Sequence, residues 1–291
     1  MLFFNQVLNG LGTGAIYALI ALGYTMVYGI VKLINFAHGD ILMIGSYASV
    51  ILMVSCGLPF PIALVLSILI CATIGILIEK FAYKPLRNSP RICALITAIG
   101  ISYLLQNTSL LIFSANPRPF PKVIDLPPLQ LFGINISVIT IITIITSIIL
   151  MILLTLFVKN SKTGKAMRAV SEDTGAAQLM GINVNNTISI TFAIGCALAG
   201  VGAILYCMAY PSVSPTMGSM PGLKAFIAAV LGGIGIIPGA MLGGFILGIA
   251  ESLTKGYISS QLSDAVVYGI LIVVLLVKPA GLLGKSTHEK V

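Results

Sequence analysis

Long apolar runs separated by short polar stretches make up most of the chain. They cover residues 7–29, 34–55, 59–79, 92–114, 134–158, 187–210, 223–250 and 264–280. Because a helix needs roughly 20 apolar residues to cross a bilayer, each run is a candidate span, and the block 223–250 is too long for one crossing. Pro238, between Gly235 and Gly239, predicts a break that makes two short helices of that block. We therefore predict an all-α, polytopic membrane helix bundle of about eight to ten transmembrane segments, some broken or short.

The composition excludes the soluble classes of protein. The chain has 291 residues, of which 58% are hydrophobic and only 8% are charged. A soluble domain has about 25% charged residues, so this chain cannot cover a water-exposed surface. A net charge of +8 is then explained by loop lysines and arginines and does not indicate a nucleic-acid partner. Residues 1–291 are interpreted as one transmembrane domain. The five cysteines are scattered, so we expect them to pack in the interior, and we expect no cofactor or metal.

The distribution of positive charge predicts the orientation in the membrane. Residues 80–91 and 159–168 each carry four lysines and arginines, whereas the proline-rich stretch 116–133 between them carries two. Cytoplasmic loops are the ones enriched in these residues. The two basic stretches are therefore expected in the cytoplasm and residues 115–133 outside. Counting spans then places the N-terminus outside and the tail, with Lys278, Lys285 and Lys290, in the cytoplasm.

A polar segment interrupts the apolar pattern near the start of the second run. It reads Asn35-Phe36-Ala37-His38-Gly39-Asp40. Polar side chains are expensive inside a membrane and usually face a cavity, a partner or water, and broken helices supply the binding sites of many transporters. Asn35, His38 and Asp40 are therefore candidates for a translocation path. The alternative is a helix start at the membrane surface, with Asn35 or Asp40 as the capping group. His38 has no second ligand at coordinating spacing, so it does not indicate a metal site.

Two further patterns concern packing and charge. Glycines recur every four residues at 235, 239 and 243 and at 244 and 248, a spacing that lets two helices approach closely. We expect this packing within one subunit, with a seam to a second membrane subunit as the alternative. Glu79, Glu251 and Asp264 are interpreted as charges at span boundaries. A proton-coupled carrier would need several acids inside the spans, so this interpretation argues against one.

The longest polar stretch, residues 159–186, predicts a short helix on the cytoplasmic surface. Residues 172–180 suit a helix with Ser171 as its N-cap, two acids in its first turn and Gly181 as its stop. Such a helix between two spans can be held by a partner protein, or it can be a plain connection. The candidate contact residues are Glu172, Asp173, Ala176, Ala177 and Gly181.

Several stretches together resemble a known family. Residues 169–183 resemble the coupling loop of ABC importer permeases. The segment 35–39 with Met43 and Gly45, the block 222–235 and the tail 278–284 are similar to the branched-chain amino-acid branch of those permeases. The resemblance extends over nearly the whole chain.

The resemblance implies a function and a set of partners. It implies a permease subunit of the bacterial inner membrane that imports leucine, isoleucine and valine and performs no chemistry itself. The implied partners are a second similar permease, two cytoplasmic ATP-binding subunits that contact residues 172–181, an extracytoplasmic binding protein and membrane lipid. Permeases for urea or short amides share much of the pattern and stay open as alternatives, as does a facilitator or secondary carrier without an ATPase. An intramembrane enzyme would need a nucleophile–base pair or a metal set, which the lone His38 does not supply.

Overall fold

The computed structural model describes residues 2–87, 89–131 and 134–284. Within these residues the helices are α1 (Leu2–Val31), α2 (His38–Val50), α3 (Phe60–Ile78), α4 (Arg91–Phe113), α5 (Val138–Asn160), α6 (Lys162–Glu172), α7 (Thr174–Leu179), α8 (Val184–Ala209), α9 (Ser219–Gly232), α10 (Ile237–Tyr257) and α11 (Ser263–Val277). The short strands are β1 (Arg118–Pro119), β2 (Leu129–Leu131), β3 (Ile134–Ile136) and β4 (Ser212–Val213). β1 pairs with β4 and β2 with β3, both antiparallel. The predicted all-α membrane bundle is confirmed.

The apolar runs correspond to helices of two lengths. Seven helices of the described chain are long and apolar enough to cross a membrane, when the π-helical and 3₁₀ turns that extend α2 to Ser55 and α3 to Leu86 are included. Two further apolar helices, α9 and α11, have 14 and 15 residues. The predicted figure of eight to ten is therefore reached only when these shorter helices are counted. The predicted break in the block 223–250 exists, but it lies at residues 233–236, where Gly233 and Gly235 adopt φ angles of +106° and +95°. Pro238 and Gly239 belong to the first turn of α10, and only α9 is short, since α10 has 21 residues.

Helix α1 lies at the centre of the bundle and packs against α10. Most of its side chains between Gly10 and Val27 are buried. A Cβ atom at Gly14 would lie 2.9 Å from the Cα of Phe245, and one at Gly244 would lie 2.6 Å from the backbone nitrogen of Ala18. The two backbones therefore touch, as small residues at helical spacing allow. The glycines of α10 pack within this subunit, which confirms the expectation from their spacing.

Helices at the periphery expose their apolar side chains. Exposed leucine, isoleucine and valine residues cover the outer faces of α3, α4, α5 and α11, for example Val65, Leu104, Ile152 and Leu276. A soluble monomer rarely exposes so extensive an apolar surface. These faces are suited to lipid or to another membrane subunit, and the chain is a multi-pass membrane protein.

The two ends of the bundle differ in character. At one end, β1 from the proline-rich stretch pairs with β4, just after α8. At the other end, Arg87 donates a hydrogen bond to Asn185 beside α7, and the backbone NH of Leu282 donates to Leu231. The basic stretches 80–91 and 159–168 and the start of the tail thus share one end, and the side of the membrane it faces stays a prediction. Lys285 and Lys290 lie outside the described residues.

Candidate functional site

Helix α2 begins inside the helix bundle and not at its end. The chain between Val31 and His38 is not helical, and His38 packs against Gly23 of α1. Gly23 lies eight residues before the end of α1, a distance of roughly 12 Å along a helix axis. The predicted span 34–55 therefore starts as a non-helical segment that leads into the bundle. A broken helix of this kind is typical of transport sites.

The structure places the predicted polar residues of this segment in the protein interior. Asn35 and His38 are buried, and the Asn35 side-chain oxygen accepts a hydrogen bond from the hydroxyl of Tyr83 at 3.1 Å. The ring centroid of His38 lies 4.7 Å from that of Tyr24. The N-cap of α2 is Ala37, and no side chain caps the helix. The alternative of a capping role for Asn35 or Asp40 is therefore wrong.

Asp40 borders a cavity of about 290 Å³ that we call the mid-membrane groove. Its walls come from α1, α2, α4 and α9, and its polar centre consists of Asp40, Ser102, Gln106 and Ser219. The side-chain nitrogen of Gln106 lies 2.9 Å from an Asp40 carboxylate oxygen and 3.2 Å from the Ser219 hydroxyl. His38 and Asn35 do not line this groove, so the structure separates the three predicted path residues. Gln106 was not predicted, although a glutamine in the middle of an apolar run is itself a signal.

Glycines bring the starts of α2 and α9 together at this groove. A Cβ atom at Gly222 would lie 2.7 Å from the Cα of Gly39, and one at Gly39 would lie 3.0 Å from the Cα of Gly222. Any side chain here would separate the two helices. The close contact explains how Ser219, at the first turn of α9, comes near Asp40, at the first turn of α2.

A second polar cluster crosses the bundle interior beside α1. The ammonium group of Lys224 in α9 lies 2.7 Å from a carboxylate oxygen of Glu251 and 2.7 Å from one of Asp264. Glu251 also pairs with Lys255 and accepts a hydrogen bond from Tyr17. Glu251 was interpreted as a charge at a span boundary, and the structure shows it to be 2% exposed and paired with residues of α1, α9 and the next turn of α10. Its depth in the membrane stays a prediction. Glu79, also fully buried, forms an ion pair with Arg87.

The predicted helix 172–180 corresponds to α7 alone, which is shorter, and α6 before it was not predicted. Ser161 caps α6, which ends at Glu172, and α7 begins after Asp173. The Asp173 carboxylate accepts hydrogen bonds from the backbone NH groups of Gly175 and Ala176 at 2.8 and 3.0 Å. Ser171 as the N-cap is therefore wrong, because Asp173 has that role and the Ser171 hydroxyl donates to Arg168 within α6. Gly181, with a φ of +80°, follows α7 as predicted.

The exposed face of α7 differs from the predicted one. Ala177 is 3% exposed and packs in the interior with Val170 and Ile188, so it cannot offer a surface to a partner. Ala176, Glu172 and Asp173 are exposed. Leu179 and Met180 are 91% and 82% exposed, although both are apolar. Sequence reasoning overlooked these two residues, because a short helix in a polar stretch does not reveal which of its faces is free.

A large cavity lies beside α7 at the same end of the bundle. Its volume is about 630 Å³, and its lining includes Lys32, Lys84, Arg87, Thr174 and Gln178. Three basic side chains thus surround an open space next to α7, whose Leu179 is exposed together with the adjacent Met180. The end of the bundle that carries α7 offers shape, positive charge and apolar contact to a partner. In the described part of the chain, no three His, Cys, Asp or Glu side chains converge as a metal site would require.

The chain is similar to known transport proteins over nearly its full length. Residues 6–275 match the family model described as branched-chain amino acid transport system, permease component. The high-affinity branched-chain amino acid transport system permease proteins BraD of Pseudomonas aeruginosa and LivH of Escherichia coli are 45% and 43% identical, each alignment covering 99% of this chain and 98% of the relative. A probable branched-chain amino acid transport permease protein LivH of Methanocaldococcus jannaschii is 31% identical over 91% of this chain and 88% of the relative. No solved structure matches the chain.

Proposed function

This chain belongs to the family of branched-chain amino acid transport permease components, and from that premise we propose that it is the membrane subunit of an ATP-driven importer of leucine, isoleucine and valine. The proposal includes the complete assembly: this chain, a second similar permease, two cytoplasmic ATP-binding subunits and an extracytoplasmic binding protein in a bacterial inner membrane. The chain itself is a transport subunit, and the hydrolysis of ATP belongs to its partners.

The observation that carries this proposal is the free face of α7. A permease that does not itself hydrolyse ATP is moved by its partners, so it needs a rigid surface element through which their conformational change is transmitted. Asp173 fixes the start of α7 through two backbone hydrogen bonds, and Gly181 ends it. Leu179 and Met180 then project an apolar surface that none of the described residues covers. Burial of exposed apolar side chains favours association, so this surface suits a partner such as an ATP-binding subunit.

The mid-membrane groove is the proposed translocation path. Asp40 lines the groove. Asn35 and His38 do not, and they hold the start of α2 through contacts with Tyr83 and Tyr24. One wall of the groove is α4, most of whose apolar residues are exposed. A second permease packed near α4 would complete the path between two subunits.

Reconstitution of the complex tests the proposal. The chain, coexpressed with its neighbouring permease and ATP-binding subunits, is placed in vesicles with the binding protein and ATP. Uptake of radiolabelled leucine that requires both ATP and the binding protein is the expected result. Uptake without the ATP-binding subunits would indicate a facilitator or secondary carrier, and uptake of urea or a short amide but not leucine would indicate the related importers. Either outcome would contradict the proposal.

A further inference from the structure

Asp40 is the one buried carboxylate of the described chain that has no positive partner. Glu79 pairs with Arg87, and Glu251 pairs with Lys224 and Lys255. Asp40 is 2% exposed, yet within residues 2–87, 89–131 and 134–284 no lysine, arginine or histidine nitrogen lies within ion-pair distance of it. Its neighbours are neutral: Gln106 donates one hydrogen bond.

An unpaired buried carboxylate is costly in a membrane. Intramembrane acids normally pair with one another or with a cation, and they mark substrate pathways. The start of α2 and the amide of Gln106 offset part of the cost, but neither carries a full positive charge. The carboxylate borders a cavity of about 290 Å³, near the lower end of the roughly 300 to 1,000 Å³ typical of ligand pockets. A positively charged group of a ligand in this cavity would therefore supply the ion-pair partner that Asp40 lacks among the described residues.

We propose that Asp40 accepts the α-ammonium group of the transported amino acid as it passes through the mid-membrane groove. Gln106, held by Ser219, orients the carboxylate for this contact. Phe36, Ile99 and Leu223 line the same groove and offer apolar contacts for an aliphatic side chain. The groove thus offers an aliphatic amino acid a partner for its ammonium group and apolar contacts for its side chain. This inference rests on the proposed import of amino acids.

Charge removal with the shape kept tests the role of Asp40. In vesicles with the full complex, Asp40→Asn keeps an acceptor for Gln106 and removes the charge. Loss of one charge-assisted hydrogen bond should lower leucine uptake per assembled complex about tenfold or more. Binding-protein-stimulated ATP hydrolysis should fall less, so that fewer leucines are imported per ATP. Asp125→Asn, the same change at an exposed residue of the proline-rich stretch 116–133, is the control and should match wild type.

A labelling experiment works with Asp40 in place, in case Asp40→Asn does not assemble. Ser102→Cys puts a thiol in the groove of a chain whose five native cysteines are replaced, within the assembled complex. Leucine should slow its modification, whereas 4-methylpentanoate, which has the same side chain without the ammonium group, should not. A cationic thiol reagent should also react faster than an anionic one.

The outcomes separate this inference from the proposed function. Equal protection by leucine and 4-methylpentanoate would overturn the role of Asp40. Wild-type leucine uptake by Asp40→Asn would also overturn it, and this is the result expected if the carboxyl group is protonated and only donates a hydrogen bond. A wild-type complex that assembles but imports no leucine would instead overturn the proposed function.

Discussion

Lys224 is buried near the start of α9 because two carboxylates meet it there. Its ammonium group lies between Glu251 of α10 and Asp264 of α11, so that one lysine joins three helices. Removal of one partner from a buried ion pair typically costs about 3–5 kcal/mol. Loss of Glu251 should cost less than that, because Lys224 keeps Asp264 as a partner. The cluster therefore fixes the position of α9, whose first turn forms part of the mid-membrane groove.

Neutralisation of Glu251 should destabilise the permease. Glu251→Gln is expected to lower its unfolding temperature in detergent and its abundance in membranes, and Lys224→Met combined with Glu251→Leu should restore part of the loss. Lys255→Met is the matched control: its side chain is 42% exposed, so it should cost no more than about 1 kcal/mol. Equal losses for Glu251→Gln and Lys255→Met would contradict the assigned role of the buried cluster.

Single residues could be predicted only where their own sequence context is unusual. Asn35, His38 and Asp40 were found because three polar side chains in an apolar run are costly. Their division into one groove residue and two supporting residues depends on Tyr83, Tyr24 and Gln106, which come from other helices. One partner of Glu251, Lys224, lies 27 residues away in sequence. No local pattern reveals such a contact, so the burial of Glu251 was not predicted.

At the level of elements, local signals identified helices better than their ends and faces. Gly181 was predicted as a helix stop because a positive φ angle favours glycine, and the break near Gly235 was predicted from the glycines around Pro238. Ser171 and Asp173 are both good N-cap residues, and the choice between them depends on how α6 packs against the bundle. The buried side of α7 is likewise set by tertiary contacts, which place Ala177 inward and Leu179 outward.

Two substitutions on α7 should have different effects, one on the docking of partners and one on the stability of the permease. Leu179→Glu places charge on an exposed apolar side chain, so it should reduce copurification of the ATP-binding subunits and substrate-stimulated ATP hydrolysis without changing the unfolding temperature of the permease. Ala177→Arg should instead destabilise the permease itself, because Ala177 is buried. Leu129→Glu, the same change at a half-exposed residue of β2 at the other end, is the control. Normal assembly and ATP hydrolysis with Leu179→Glu would rule out α7 as the docking element.

At the level of the whole molecule, hydropathy identified the spans but not the two helices that begin inside the bundle. Residues 32–37 and 214–218 continue the chain into the interior without forming helices, and α2 and α9 start where Gly39 and Gly222 meet. Irregular backbone at this depth is tolerated where protein or a cavity surrounds it. Composition does not distinguish such a segment from the helix that follows, which is why the predicted second span began too early.

The orientation of the whole bundle in the membrane can be tested by labelling its two ends. Arg87 and α7 share one end, and the β1–β4 pair lies at the other. With the basic end in the cytoplasm, as the charge asymmetry predicts, an impermeant thiol reagent should label Asp125→Cys in intact cells and Lys162→Cys only in inverted vesicles. Both positions are exposed, and both variants are made in a chain whose five native cysteines are replaced. Labelling of Lys162→Cys from outside would invert the bundle, move α7 away from any cytoplasmic ATP-binding subunit and remove the main support for the importer.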